Sequence, residues 1–220
     1  MAKKLSISGQ HYLFDVQTFA QVVLSEGGDE FHYSLFDRST EGVIVDVVDG
    51  TSDLGVLVET SENAERLNTI LESEGLEFHE LILSSPRIAL PASHPLANAS
   101  KLSIEDMADY PYIYFFQGED APSTFCEEAL GSIPRAKSIA CTDRASLSEL
   151  ITALNGYTVT SGILVGISDG KGLVTIPLET DETLHLGYIV KKDQQLNELA
   201  QRFVDRLAKN LERYAAFNDQ

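Results

Sequence analysis

Apolar residues recur along this chain in two alternating rhythms. Leu5 and Ile7 alternate with serines until Ser8-Gly9 interrupts them, and Val16, Phe19, Ala20 and Val23 then follow at helical spacing. This predicts a strand, a turn and a helix. Residues 31–36 form an apolar and aromatic run that predicts a second strand, and Ser39-Thr40 is a candidate N-cap for the segment after it. The β-branched content of Val43, Ile44, Val47 and Val48 favours a strand weakly. Their i, i+1, i+4, i+5 spacing and the Asp49-Gly50 stop predict a buried helix instead. Residues 53–58 are apolar on both faces, as a central parallel strand requires. Ser61 is a candidate cap for a third helix, with Ala64, Leu67, Ile70 and Leu71 facing inward and Gly75 at the C′ position.

A βαβαβα order predicts a parallel sheet with right-handed crossovers. Strands over 78–83 and 88–90 flank Ser84-Ser85-Pro86-Arg87, where the chain can pass from one lobe into another. A similar rhythm then resumes. Ser103 to Asp106 has the form of a capping box, with Asp in the usual Glu place, and 112–116 is an aromatic-rich strand. A helix over 122–130 has Pro122 in its first turn and Gly131 behind it, ahead of a strand over 138–141. A helix over 146–154 stops at Asn155-Gly156 and precedes a strand over 157–160. Strands over 173–176 and 184–190 lead to a closing helix with Leu196, Leu199, Phe203, Leu207 and Leu211 in one stripe. The alternation of Leu184, Leu186, Tyr188 and Val190 predicts a strand that returns to the first lobe. The expected fold is α/β, with two Rossmann-like lobes and a ligand cleft between them. Residues 1–84 with 185–220 make lobe I and 85–184 lobe II, and the cleft lies at the carboxyl ends of the strands.

Charge narrows the functional classes. Sixteen Lys and Arg against 34 Asp and Glu give a formal net charge of -18 over 220 residues. Such a surface repels phosphate backbones, so these residues are not expected to bind nucleic acid directly. Met-Ala-Lys-Lys leads into Leu5-Ser-Ile-Ser rather than a continuous apolar segment, and no apolar run is long enough to span a bilayer, so a cytoplasmic, non-membrane protein is expected. Cys126 and Cys141 lack disulfide-framework or zinc spacing and are expected to be buried thiols. The histidines, His11, His32, His79, His94 and His185, have no metal-ligand spacing, so no metal or cofactor is expected. Nucleophile elbows, Walker loops and dinucleotide fingerprints are missing from the sequence, and Gly170-Lys171-Gly172 is expected to be a surface turn. The chain is therefore not expected to be an enzyme.

Several segments, in order, resemble one family. They are Leu5-Ser-Ile-Ser-Gly9, Val48-Asp-Gly-Thr-Ser-Asp-Leu-Gly-Val56, Ile88-Ala-Leu-Pro-Ala-Ser-His-Pro-Leu-Ala97, Leu102-Ser-Ile-Glu-Asp-Met-Ala-Asp-Tyr-Pro-Tyr-Ile113 and Gly172-Leu-Val-Thr-Ile-Pro-Leu178. Together they look like the effector-binding, or substrate-binding, domain of LysR-type transcriptional regulators. The run from Gly156 to Gly162 departs from the family pattern, where a proline region is usual. The resemblance implies a fold of the type II periplasmic-binding-protein kind and a small-molecule effector between the lobes. It implies a homodimer or tetramer in which the helix near 15–24 packs against the second lobe of a partner. DNA contact is then made only through an N-terminal winged helix-turn-helix not contained in this sequence.

The same resemblance implies effector contacts at Ser8, Gln10, His11, Thr40, Gln117, Thr142, Arg144 and Ser161. His11, at a strand-to-helix turn, and Arg144, a bidentate donor, would both suit a carboxylate. Ser8 and Thr40 have an alternative role as N-caps, and Arg144 as a surface helix charge. Glu119 and Asp120 are expected to be a solvated loop. Two rivals stand beside this reading. A free-standing solute-binding protein would be expected to carry an export signal, and an enzyme on the same scaffold would need a paired acid and base in the cleft.

Overall fold

The computed structural model describes residues 3–122, 125–163, 165 and 172–218. In chain order its elements are β1 (Lys3–Gly9), α1 (Leu13–Glu26), β2 (Phe31–Asp37), α2 (Thr40–Asp49), β3 (Leu54–Glu59), α3 (Ala64–Ser73), β4 (Leu76–Ser84), β5 (Arg87–Pro91), β6 (Tyr112–Phe115), β7 (Ser138–Cys141), α4 (Arg144–Leu154), β8 (Thr158–Thr160), β9 (Leu173–Pro177), β10 (Leu184–Lys191) and α5 (Glu198–Asn218).

Five strands form one sheet in the order β2-β1-β3-β10-β4. β1 runs parallel to both β2 and β3, and β10 returns antiparallel between β3 and β4. The doubly apolar run of β3 is buried along nearly its whole length. Gly55 in that strand is dictated by packing: a Cβ there would lie 2.4 Å from Val43 Cγ1, because α2 rests directly on the sheet. Ser39 caps α2 by accepting from Gly42 N, and Gly50 ends the helix at φ +81°. The helix reading of Val43, Ile44 and Val47 is therefore correct, and all three are core residues.

Beyond Ser84 the sheets are different. β5 pairs antiparallel with β8 and β9, while β6 and β7 form a separate parallel pair, tied to the segment before β8 by a bridge between Tyr112 and Tyr157. The second lobe is thus less parallel than its α/β rhythm implies. No helix among the described residues is long and apolar enough to cross a membrane.

Several local expectations need correction. Ser61 does not cap α3; Asn63 holds the N-cap position, and Ser61 donates to Glu182 instead. The box at Ser103 forms, with Ser103 N donating to Asp106 at 2.8 Å and Asp106 N to Ser103 Oγ at 3.2 Å, yet it opens only a 3₁₀ turn over Glu105–Met107. No α-helix occupies the described part of 122–130; Phe125 is in 3₁₀ form, its N donating to the Pro122 carbonyl at 2.8 Å, and the residues after it form bends and turns, with Leu130 at φ +57°. Its consecutive Glu127 and Glu128 both turn inward, which neighbours 100° apart on a helix do not readily do. Finally, α1 buries Phe14, Asp15, Thr18 and Val22 rather than the stripe from Val16 to Val23. The phase is rotated because α1 meets α5 through a polar contact, Asn210 Nδ2 donating to Thr18 Oγ1 at 2.9 Å. Leu24 is left 87% exposed. Cys141 is buried as expected, but Cys126 is only half-buried, and Gly170 and Lys171 lie outside the described residues.

Candidate ligand-binding site

β1 ends at Gly9, and the chain crosses to α1 over Gln10, His11 and Tyr12. The Gln10 side chain is fully buried and joins two elements. Its Oε1 accepts from Val58 N at 2.8 Å, and its Nε2 donates to Thr40 Oγ1 at 2.7 Å. Thr40 carries the connection onward, since its N–H donates to Gln117 Oε1 at 2.9 Å and its hydroxyl to the Phe125 carbonyl at 3.3 Å. Gln10, Thr40 and Gln117 thereby tie the five-stranded lobe to the irregular segment after β6.

That network leads to one carboxylate. Glu127 receives His11 N at 2.9 Å, His11 Nδ1 at 2.7 Å and Gln117 Nε2 at 3.4 Å. The Tyr12 hydroxyl donates to the Glu127 carbonyl at 2.9 Å, and the His11 ring stacks on Phe115 with centroids 4.1 Å apart. Burial alone would lower the His11 pKa. The hydrogen bond and charge of Glu127, with Asp37 adding to them, hold it above the ordinary value.

Two further acids lie close by. Glu128 Oε1 accepts from Phe115 N at 2.8 Å, whereas its Oε2 is buried with no hydrogen-bond partner among the described residues. Burial, then the charge of Glu127, pushes the Glu128 carboxyl well above its usual range. Asp15, in the first turn of α1, is pushed up to about 8 by burial. A Cβ on Gly9 would stand 2.1 Å from Asp15 Oδ2, so only glycine permits this approach. Arg144, the first residue of α4, reaches across to Asp37 Oδ2 at 2.8 Å and donates to the Tyr12 carbonyl at 3.4 Å.

Between these groups is a cavity of about 140 Å³, with His11 and Tyr12 on one side and Phe115, Arg144, Val159 and Ser161 on the other. Its walls are mainly apolar. Among the described residues no group of three or more His, Cys, Asp or Glu is placed to hold a metal ion.

Residues 29–212 match the family described as the LysR substrate binding domain. The chain belongs to this family. No curated protein matches it. Solved structures share the fold of this LysR substrate-binding domain at low identity. The effector-binding domain of QuiR, in complex with shikimate, is 14% identical with a TM-score of 0.64, over 97% of this chain and 99% of that one. HinK, a LysR family transcriptional regulator from Pseudomonas aeruginosa, is 18% identical with a TM-score of 0.63, over 96% and 70%. The oxidized form of Corynebacterium glutamicum OxyR is 14% identical with a TM-score of 0.67, over 99% and 67%. The two-lobed architecture of the type II periplasmic-binding-protein kind follows.

Within this LysR domain, the residues singled out from sequence fall into three groups. His11, Arg144 and Ser161 line the cavity. Gln10, Thr40 and Gln117 stand behind it as the hydrogen-bonded frame described above. Ser8 and Thr142 are elsewhere. The Ser8 hydroxyl is taken by Asp46 Oδ2 at 2.5 Å and Ser52 Oγ at 2.6 Å, and Thr142 is exposed. Ser8 and Thr40 do not act as N-caps, because Ser39 caps α2 and Tyr12 precedes α1 without a side-chain cap. Glu119 and Asp120 are exposed, as a solvated loop should be. Sequence reasoning missed Tyr12, Glu127, Glu128, Thr158 and Val159. The available signal was the pair Glu127-Glu128 set between Phe125 and Ala129, inside the segment read as a helix over 122–130.

Proposed function

We propose that the chain senses a small-molecule effector in the cavity between two lobes, residues 1–84 with 185–220 forming one and 85–184 the other. His11, Arg144 and Ser161 contact the effector in this reading, and Gln10, Thr40 and Gln117 hold the contact geometry. The observation that carries it is the cavity itself, walled by residues from the five-stranded lobe on one side and from the second lobe on the other. The shikimate complex of QuiR supports a ligand of this size class. A carboxylate effector is disfavoured, because Glu127 already fills the place such a group would take.

The same side chains provide a route for signalling. His11 to Glu127, Thr40 to Gln117 and Arg144 to Asp37 all span the two lobes. A ligand that alters their geometry changes the relative stability of two lobe arrangements, which is what effector coupling requires. A homodimer or tetramer is the assembly that would transmit it, through the outward stripe of α1 that contains Ala20 and Leu24. DNA contact belongs to a segment other than these residues, whose charge opposes it. Peroxide sensing gains no support from the likeness to OxyR. Burial pushes Cys126 up to about 12 and Cys141 up to about 11, so neither thiol is a ready nucleophile.

A thermal-shift panel of amines, alcohols, sugars and carboxylates tests the reading. At least one class should raise the midpoint of the native chain, and Val159→Trp, which fills the cavity, should abolish the rise. Stabilisation that survives Val159→Trp sinks it, and turnover of a stabilising compound would favour an enzyme.

A further inference from the structure

The cavity has an unusual distribution of unmet polar groups. Its two cations are already matched, His11 by Glu127 at 2.7 Å and Arg144 by Asp37 at 2.8 Å. Its anion cradle is full, since Glu127 draws on the His11 backbone, the His11 ring and Gln117 at once. What remains without a partner among the described residues is Glu128 Oε2 and Thr158 Oγ1. Both residues are 5% exposed and both line the cavity. Buried polar atoms left this way are uncommon in native proteins and call for an explanation.

We infer that the cavity takes a compact apolar molecule with a primary ammonium head, and that Glu128 Oε2 and the Thr158 hydroxyl receive that head. This deepens the effector reading above and rests on it. Phe115, Val159, Leu147 and Leu173 supply the apolar wall. The volume of about 140 Å³ lies well below the roughly 300 Å³ at which pockets for drug-sized ligands begin, so one ring and a short head fill it. The net charge of -18 attracts cations and repels anions before contact. Glu127 acts as a guard: an entering carboxylate must displace an acid that holds three donors.

Burial, then the charge of Glu127, favours the protonated form of Glu128 without ligand. An arriving ammonium favours the carboxylate, so binding releases protons to the buffer. The titratable groups around Glu128 are Glu127, Arg135, Tyr12, Tyr112, Cys126 and Cys141. Across the same cavity stand His11 and Arg144, each already paired with an acid, His11 with Glu127 and Arg144 with Asp37. Tyr12, Tyr112 and the two thiols are pushed upward and stay protonated when an ammonium enters, whereas Glu128 offers the cavity an oxygen without a partner among the described residues.

Calorimetric titration of the full chain with benzylamine, benzyl alcohol and benzoate, in buffers of low and high ionisation enthalpy, tests this. Benzylamine should bind about tenfold or more tightly than the other two, with a buffer-dependent heat that reports proton release. Glu128→Gln keeps the acceptor for Phe115 N but removes the free carboxylate oxygen, and it should weaken benzylamine about tenfold to a hundredfold and abolish the proton release. Should Glu128→Gln fail to fold, the native preference and proton count still decide. Benzoate or benzyl alcohol binding as tightly as benzylamine, and lost in Val159→Trp, overturns the ammonium inference while the cavity reading stands. No binding by any of the three probes overturns the ammonium inference and leaves the cavity reading to the thermal-shift panel, and benzylamine heat unchanged in Val159→Trp overturns both.

Discussion

Asp15 carries a cost that a single isosteric change should reveal. Its carboxyl is fully buried, with Oδ1 accepting from Val16 N at 2.6 Å and Oδ2 unpartnered among the described residues. Burial raises its pKa from 3.8 to about 8. Between those values the unfolded chain releases a proton that the folded chain retains, so stability is greatest at low pH and falls as pH rises toward 8. From 3.8 to neutrality is about three pH units, and at about 1.4 kcal/mol for each the unfolded state gains about 4 kcal/mol at pH 7. Asp15→Asn removes this ionisation while keeping shape and the bond from Val16. Its amide must be seated where Oδ2 is unpartnered, at a cost of about 1–2 kcal/mol. The net expectation is a gain of about 2 kcal/mol at pH 7. Urea unfolding of both proteins at several pH values, above the pI of about 4.5 to keep them soluble, gives the test. The advantage of the variant should widen by on the order of 2 kcal/mol between about pH 5.5 and about pH 7.5. A difference constant with pH, or a less stable variant at pH 7, would refute the reasoning.

Three other outcomes follow from the geometry. His11→Ala leaves Glu127 buried without its charged partner and should cost about 3 kcal/mol at pH 6, measured by urea midpoint. Because the folded His11 pKa is raised, that cost is fully present below the unfolded value of 6.5 and fades as pH rises through the folded one; a pH-independent loss would contradict it. Leu24→Glu places a charge on a side chain 87% exposed, so it should leave the melting midpoint little changed, with stability within about 1 kcal/mol of native, while shifting the mass by light scattering from oligomer to monomer. Gly55→Ala puts a methyl 2.4 Å from Val43 Cγ1 and 3.0 Å from Ile189 Cγ1 and should destabilise by about 1–3 kcal/mol, with a native-like circular dichroism spectrum.

The fold could be read where local and global signals agree. Ser39, the pattern from Val43 to Val47 and Gly50 all point to α2, and the two-sided apolarity of β3 marks the sheet centre. Errors arose where a long-range partner overrode a local pattern. Glu182 captures Ser61, α5 sets the phase of α1 through Asn210, and the cavity draws Glu127 and Glu128 out of helical form. The site was legible on its β1–α1 side, since the family resemblance and the strand-to-helix turn both point to His11. Its opposite wall was not legible, because Val159 and Thr158 have ordinary strand chemistry until the fold brings them to His11. Glu127 was the harder case: a residue of the protein performs the role that sequence reasoning assigned to an effector.

The central claim is that a small molecule sits between the lobes against His11, Arg144 and Ser161. The most direct test is a crystal structure of the chain with the compound that stabilises it most in the thermal-shift panel. Ligand density in the inner cavity, in contact with at least two of His11, Arg144 and Ser161, is the expected result. Density confined to the outer groove between α2 and residues 117–122, with the inner cavity unchanged, would contradict the account.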